Sequence, residues 1–207
     1  MIRPPGWSGV AFSEASDGDL RSEGRARRAV AEGLGIAEQW ATVRQVHGCD
    51  VRKVSSPGDS GGGDALWTTT PGLPVAILTA DCYGVVLQAG DAVGVAHAGW
   101  RGAAAGVVER LRFEMTEGGH IPERAAIGPG IGPCCFEVGA DVSERFPDHV
   151  SETDWGAISV DLRGVIVRQL EGLEIWGGEG CTLHEGRWFS HRRDATPERM
   201  AAVGWVA

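Results

Sequence analysis

Short apolar segments separated by turn residues, between residues 73 and 98, constrain the fold of this chain more than any other feature. The segments LPVAILT, GVVLQAG and DAVGVAHA are rich in β-branched residues, and only a few positions separate one from the next. Continuous apolar runs of this length, bounded by turns, are typical of strands that are buried in a sheet. We therefore predict that the chain folds around a buried sheet whose strands follow one another closely.

The rest of the chain predicts both helices and additional strands. In RARRAVAEGLG the apolar positions Ala26, Val30 and Leu34 predict a helix that ends at Gly35. Three more helices are predicted over residues 102–117, 140–146 and 159–173. Further strands are predicted in residues 8–13, 40–48, 50–54, 124–127 and 174–177, and the sequence SSPGDSGGGD of residues 55–64 predicts a flexible loop.

The order of these elements predicts the fold class. Strands come first in pairs and runs, not in strict alternation with helices, which favours an α+β fold over a doubly wound parallel sheet. We expect a mixed, layered β-sheet flanked by helices. The chain has 207 residues, enough for one substantial core, and no segment has the composition of a linker. A single domain spanning residues 1–207 is therefore predicted.

Composition and charge exclude several classes of protein. The net charge is −9, which argues against a nucleic-acid partner because phosphate contacts require a basic face. The most apolar stretch, residues 73–100, contains Asp81 and Asp91, so we expect no membrane span. The N-terminal MIRPPGWSGVAF lacks the apolar core of a signal peptide, and an odd number of cysteines argues for reduced thiols. We expect a cytoplasmic protein, with a monomer favoured.

Three segments each place a potential metal ligand where a predicted strand ends. They are RQVHG with His47, TADC with Cys82 and GVAHAGWRG with His97. Taken singly, such a histidine is commonly a structural hydrogen-bonding group, and such a cysteine is commonly a small core residue. Together, two imidazoles and one thiolate form a donor set for zinc, with a fourth position open to water or substrate. We predict a metal site at these three residues.

Two glycine-containing segments could bind an anion. Arg101 and Gly102 begin the helix predicted at residues 102–117, where unpaired amides, the helix dipole and the guanidinium would suit phosphate. The alternative is that the glycines only permit a sharp turn. The loop GPGIGPCC could also direct its amides at a ligand, although such a loop is more commonly a constrained turn.

The residues next to these segments have alternative interpretations. Cys134 and Cys135 are interpreted as structural, because adjacent residues of a strand point to opposite faces and at most one could approach the metal. Asp81, beside Cys82, could orient an imidazole or act as a general base. Asp64 is equally well interpreted as a turn or cap residue. Of the remaining histidines, His191 in FSHRRD could line a site, whereas the others lie in polar surroundings.

These motifs resemble the YfiH-like family, whose members are described as multicopper polyphenol oxidoreductases (laccase-like) and also as purine nucleoside phosphorylases. The matching stretches are RQVHGCDV, DALWTTTPGLPVAILTADC, GVAHAGWRG, IGPGIGPCCFEVG and the C-terminal CTL and FSHRRD. The resemblance implies a single α+β domain like that of the cytotoxic-necrotising-factor toxins. It also implies that His47, Cys82 and His97 form a His-Cys-His metal site. Beside such a site, Asp81 is the candidate for a further catalytic residue, because its carboxylate could shuttle a proton.

The resemblance implies more than one activity. One is zinc-dependent phosphorolysis of adenosine, inosine or methylthioadenosine, with adenosine deamination as an additional reaction, so that a purine nucleoside and phosphate would be the partners. The alternative is copper-dependent oxidation of phenols. A laccase requires several coppers and many histidine ligands, and six histidines are too few for such a centre. A non-catalytic metal- or nucleoside-binding module is a third hypothesis. A hydrolase with Cys82 as its nucleophile is a fourth, which tight zinc binding would oppose.

The first forty residues depart from the family pattern. Ala15 stands where a family member would have an arginine, and Ala26-Arg27 replaces an Asn-Arg pair. Arg27 is therefore the candidate for the substrate-contacting arginine, while Arg101 is the candidate for the phosphate. Near the C-terminus, His191 replaces the usual tyrosine. We expect these departures to affect substrate preference most.

Overall fold

The computed structural model describes all residues from Met1 to Ala207. In chain order the elements are β1 (Val10–Phe12), α1 (Arg25–Leu34), β2 (Ala41–Arg44), β3 (Val51–Lys53), β4 (Gly58–Gly62), β5 (Ala65–Thr68), β6 (Val75–Thr79), β7 (Tyr83–Ala89), β8 (Ala92–Ala98), α2 (Trp100–Ala104), α3 (Val107–Glu117), β9 (Arg124–Ile127), α4 (Ala140–Ser143), β10 (Val150–Glu152), β11 (Ile158–Val160), α5 (Leu162–Gln169), β12 (Glu174–Gly177), α6 (His191–Asp194) and β13 (Met200–Gly204). Short 3₁₀ turns lie at Ala15–Asp17 and Pro147–His149.

Two mixed sheets form the centre of the molecule. One has five strands in the order β1-β13-β6-β2-β4, and the other has six strands in the order β12-β9-β7-β8-β5-β3. Each sheet contains both parallel and antiparallel pairs: β2 is parallel to β4, for example, whereas β6 is antiparallel to β13. A separate hairpin joins β10 to β11.

Alternating side chains of the central strands divide the core into layers. Val75 and Ile77 of β6 pack against Val86 of β7 between the two sheets, whereas Ala76 faces α1 on the opposite side. Val85 and Leu87 of β7 point away from that layer and pack with α3 and α5. Because successive residues of a strand point to opposite faces, each continuous apolar run supplies two layers. The predicted α+β class with layered mixed sheets and flanking helices is confirmed.

Several predicted boundaries were wrong. Residues 55–64 were expected to be a loop, yet Gly58–Gly62 form β4 beside β2, because an edge strand is held by backbone hydrogen bonds that need no apolar side chains. The helix expected at 102–117 is divided into α2 and α3 where Gly106 adopts a left-handed conformation with φ of 76°. The helix expected at 159–173 begins only at Leu162, because residues 158–160 pair with β10 and Asp161 caps the first turn. Of residues 140–146, only Ala140–Ser143 are helical.

None of the helices combines the length and the apolar character that crossing a membrane requires. The apolar stretch at residues 73–100 forms β6, β7 and β8 instead.

Candidate metal centre and its cavity

The fold brings together the three predicted metal ligands. His47 lies in the loop after β2, Cys82 in the tight connection between β6 and β7, and His97 near the end of β8. One ligand atom from each residue lies within 4.8 Å of those of the other two. The two imidazole rings meet edge to face, with centroids 4.9 Å apart. We call these three residues the His-Cys-His centre.

Asp64 holds the His47 loop in place. Its carboxylate accepts hydrogen bonds from the backbone amides of Val46, His47 and Gly48, at 3.1, 2.9 and 2.7 Å. His47 has a φ of 60°, an uncommon left-handed conformation for a residue with a side chain. Three amide hydrogen bonds to one buried carboxylate stabilise that conformation and direct the His47 ring toward Cys82.

Asp64 also orients His97. One carboxylate oxygen lies 2.8 Å from His97 Nδ1, and the side chain of Asp64 is fully buried. This contact leaves Nε2 of His97 to face Cys82, the arrangement of a carboxylate–histidine–metal triad. Burial alone would raise the pKa of Asp64, but the hydrogen bonds from His97, Gly48 and Val46 lower it. From the sequence, Asp64 was equally well interpreted as a turn or cap residue. The local indication of its role in the site is its place directly before the fully buried strand β5.

The charges of Cys82 and His97 depend on each other. Burial opposes ionisation of Cys82, yet hydrogen bonds from His47 and His97 lower the pKa of its thiol to about 6. Burial also opposes protonation of His97, but Asp64 and Cys82 raise its pKa to about 9. Without a metal, a thiolate–imidazolium pair is therefore favoured near neutral pH. A bound cation would use the same thiolate and would displace the imidazolium proton.

The space around the centre fits a small cation. A Cβ added at Gly99 would lie 2.9 Å from Cys82 Sγ and 3.4 Å from His47 Cδ2, so a glycine keeps this side of the centre open. Two imidazoles and a thiolate form the donor set of a zinc-class ion. The centre thus supports a metal-binding site with three protein ligands.

The His-Cys-His centre opens into a cavity of about 670 Å³. That volume lies within the usual range for small-molecule sites. Four arginines line the cavity, namely Arg21, Arg44, Arg192 and Arg199, together with the ring of His191. A cavity of similar size beside Trp176 and Trp188 contains neither histidine nor cysteine. An acidic protein therefore has a basic cavity next to its candidate metal centre.

Asp81 lines the same cavity, but it does not orient an imidazole. One carboxylate oxygen accepts a hydrogen bond from Thr182 Oγ1 at 2.6 Å, and the other accepts from the backbone amide of Arg192 at 2.7 Å. Asp81 has a left-handed φ of 92°, which these two contacts help to hold. It therefore joins the Cys82 turn to the C-terminal segment, while Asp64 is the residue that orients His97.

The structure does not bring Arg27, the predicted substrate-contacting arginine, or Arg101, the predicted phosphate-binding arginine, to the cavity. Arg27 is buried elsewhere, donating to the carbonyl of Leu20 at 2.9 Å and stacking on Trp40. Arg101 is exposed, with its guanidinium 4.2 Å from the ring of Trp100. Arg21, Arg44 and Arg199 were missed because nothing in their local sequence distinguishes them from other surface arginines.

Comparisons of the sequence and of the structure with known proteins agree on the group of proteins that this chain resembles. Residues 6–207 match the family model described as multi-copper polyphenol oxidoreductase laccase. The chain is similar to a purine nucleoside phosphorylase of Deinococcus radiodurans, with 39% identity over 96% of this chain and 83% of that protein. It is 37% identical to the purine nucleoside phosphorylase YfiH of Escherichia coli, over 91% and 82% of the two chains. The crystal structure of YlmD from Geobacillus stearothermophilus superposes with a TM-score of 0.79 and 34% identity, over 88% of this chain and 79% of that one.

Proposed function

The chain belongs to the family of multi-copper polyphenol oxidoreductase laccases, and from that membership and the geometry of the cavity we propose that it is a zinc-dependent purine nucleoside phosphorylase. The expected resemblance to the YfiH-like family is confirmed by these relatives. The relatives from Deinococcus radiodurans and Escherichia coli, which the chain resembles over most of their length, are named purine nucleoside phosphorylases. The observation that carries the proposal is the basic cavity beside the His-Cys-His centre.

The centre would hold a zinc-class cation through His47, Cys82 and His97. When bound, such a cation would supply Lewis-acid activation of a ligand in the cavity. The chain's own contribution is to keep Cys82 ionised and to hold the two imidazole rings in position. Asp64 holds both rings, through its contact with His97 Nδ1 and its hydrogen bond from the His47 amide. His47 is exposed to the cavity, so a nucleoside can reach the centre.

The arginines of the cavity would bind phosphate. The guanidinium of Arg44 has no hydrogen-bond or ion-pair partner within the chain, whereas Arg21 is paired with Asp19. Arg44 is therefore the arginine most available for a bidentate contact with an anion. Phosphate oxygen held there would form a bond to the ribose C1′ while the C1′–N9 bond breaks. The purine would leave with the electron pair and take up the proton that the attacking hydrogenphosphate releases. Positioning of the two reactants would supply much of the acceleration.

Adenosine deamination is a second proposed activity of the same cavity. Asp81 supports it, because its carboxylate lies in the cavity wall next to Cys82 and is held at both oxygens. In this reaction the oxygen of water would form a bond to purine C6 while the C6–N6 bond breaks and ammonia leaves. Asp81 would carry the proton from the attacking water to the leaving nitrogen. Phenol oxidation by several coppers has less support, since the His-Cys-His centre contains only two histidines.

A nucleoside panel tests the proposal. Purified protein loaded with zinc is incubated with adenosine, inosine or methylthioadenosine, each with and without phosphate, and the free base and ribose-1-phosphate are measured by chromatography. We expect base release that requires phosphate and is abolished in His47→Ala. Arg110→Ala, which changes a distant exposed arginine paired with Glu114, serves as the matched control and should retain activity. Absence of base release, together with oxygen consumption on phenols by copper-loaded protein, would reject phosphorolysis.

A further inference from the structure

A second group of metal-ligating side chains lies outside the cavity. It contains Cys134, Cys135, Cys181 and His184, and we call it the cysteine cluster. One ligand atom from each residue lies within 4.8 Å of all the others. None of the four lines the cavity of the His-Cys-His centre. The idea that Cys134 or Cys135 completes the coordination at Cys82 is therefore not supported.

Turn geometry explains how two adjacent cysteines join one cluster. Residues 133–135 form a turn rather than a strand, and the amides of Cys135 and Phe136 both donate to the carbonyl of Gly132. The alternation of faces expected for a strand does not apply in such a turn. Gly132 also leaves space for the sulfurs, since a Cβ there would lie 3.3 Å from Cys134 Sγ.

The sulfur of Cys181 has several hydrogen-bond donors around it. The amide of Gly132 donates to Cys181 Sγ at 3.2 Å, and the amides of His184 and Leu183 also point at it. Backbone donors of this kind stabilise a negatively charged sulfur, which is the form that binds a metal. Cys181 is joined to the same loop by a backbone bridge to Gly130.

His184 has the orientation of a metal-ligating histidine. Its Nδ1 faces the cluster, 3.9 Å from Cys134 Sγ, while its Nε2 lies 3.4 Å from a carboxylate oxygen of Asp154. A carboxylate on the far nitrogen is the usual outer partner of a ligating histidine. The amide of Asp154 in turn donates to the carbonyl of Cys134, so the carboxylate and the thiol are held by one local structure.

We propose that the cysteine cluster binds a second divalent cation of the zinc class, in a closed site that supplies three thiolates and one imidazole. Four such ligands form a complete tetrahedral set, which is the arrangement of structural rather than catalytic zinc. Ligand atoms around zinc stand about 3.8 Å apart, given bonds of about 2.3 Å, so small rotations of the exposed His184 and of Cys134 would complete the geometry. A groove beside Cys134 and Cys181 offers the cation a path from solvent.

The position of the cluster indicates what the cation would do. Thr182 directly follows Cys181 and donates to Asp81, and the amide of Arg192 donates to the same carboxylate. A cation joining Cys134 and Cys135 to Cys181 would therefore fix the segment that contacts Asp81 next to the His-Cys-His centre. The site would stabilise one wall of the cavity without contacting a substrate.

Metal stoichiometry tests this inference. The full chain is purified under reducing conditions, loaded with Zn²⁺ and dialysed, and its metal content is measured by elemental mass spectrometry. We expect two equivalents in the wild type and one in each of His47→Ala and Cys181→Ser. With Co²⁺ as the probe, the equivalent that remains in His47→Ala should give the stronger thiolate-to-metal charge-transfer absorption, because three thiolates surround it instead of one.

Two milder variants keep the test decisive if Cys181→Ser does not fold. His184→Ala changes an exposed ligand, and Asp154→Asn changes only the outer partner, which should weaken the second Zn²⁺ about 10–100-fold. Asp148→Asn, an exposed carboxylate paired with Arg168, is the matched control and should bind both equivalents normally. A single equivalent that His47→Ala removes entirely would overturn the proposal. So would a count of three thiols instead of five in denatured, metal-free protein that was isolated without reductant, since a disulfide would then occupy the cluster.

Discussion

The His-Cys-His centre and the cysteine cluster contain similar atoms, but they differ in how those atoms affect each other. At the centre, two imidazoles donate to a single thiol and lower the pKa of Cys82 to about 6. In the cluster, burial and neighbouring thiols raise the pKa values of Cys134 and Cys135. Cys181 is the exception within the cluster, because backbone amides donate to its sulfur and lower its pKa. Hydrogen-bond donors around each sulfur, from imidazoles at the centre and from amides at Cys181, therefore decide whether it is ionised before any metal arrives.

The two regions also differ in what surrounds them. The centre opens into a cavity with four arginines, and one of its histidines is exposed. The cluster has Cys135 in the hydrophobic core and offers four donors without an open position. An accessible site with three ligands suits chemistry, whereas a closed site with four suits stability. Changing one residue or one solution condition at a time tests these differences.

The largest effect is expected from Cys82→Ser. Losing an outer partner of a metal site commonly costs 10–100-fold, so we expect the loss of this ligand to lower kcat/KM for phosphorolysis more than about 1,000-fold. Cys49→Ser, a half-buried cysteine in neither group, is the control and should behave like the wild type. Activity and melting temperature are measured together. Cys134→Ser should mainly lower the melting temperature; if it instead matched Cys82→Ser in activity at equal folded fraction, the division of roles would be wrong.

The second-largest effect is expected in the alkylation of the metal-free protein, where the cysteine of the His-Cys-His centre should react and Cys134 and Cys135 of the cysteine cluster should not. Only a thiolate reacts, so Cys82 should be modified by iodoacetamide at a rate that rises with pH around a midpoint near 6, well below its ordinary value of 9.0. At pH 6 about half of Cys82 should be thiolate, against about one-thousandth of a cysteine with the ordinary pKa of 9.0, a difference of about 500-fold. Peptide mapping by mass spectrometry should find Cys134 and Cys135 unmodified there, because their pKa values are raised.

His47→Ala provides the internal comparison for that experiment. His47 is one of the two groups that lower the pKa of Cys82, so its removal should move the midpoint to higher pH. An unchanged midpoint would mean that the His47 imidazole does not lower the pKa of the Cys82 thiol.

Asp64→Asn should have a smaller effect on the same centre. The substitution weakens the contact with His97 and the hold on the His47 loop, and we expect zinc affinity to fall about 10–100-fold by isothermal titration. Because folding lowers the pKa of Asp64, its contribution to stability is present above its ordinary pKa of about 3.9 and is lost as the pH falls below that. Wild-type acid denaturation should therefore be steeper than that of the variant. Asp50→Asn, an exposed neighbour, should change neither quantity.

The smallest effect concerns where the anion binds. Arg44→Ala should raise KM for phosphate about tenfold, the loss expected for one charge-assisted contact, with little change in kcat. Arg101→Ala, which alters an exposed guanidinium stacked on Trp100, is the paired control and should change KM less than about twofold. If steady-state kinetics showed that Arg101→Ala raises KM for phosphate more than Arg44→Ala does, the phosphate site would lie at the start of α2 instead.

The sequence predicted the fold class and the three residues of the His-Cys-His centre, for a local reason. Buried strands appear as continuous apolar runs, and a ligand directly after such a run is visible without knowing what lies across from it. The edge strand Gly58–Gly62 was missed because its backbone pairing with β2 requires no side-chain pattern. The break in the helix at Gly106 was missed because an isolated glycine inside a helical pattern does not by itself predict a boundary.

By itself, then, the sequence predicted the layered sheets and the three candidate ligands at the ends of their strands. Only the tertiary structure decided which carboxylate serves which histidine, since Asp64 reaches His97 across 33 positions of the chain. It likewise placed Arg44 and Arg199 in one cavity and brought Cys134 within 3.9 Å of His184, 50 residues away. Contacts of this range depend on strand register and turn conformation, and no residue's local sequence records them.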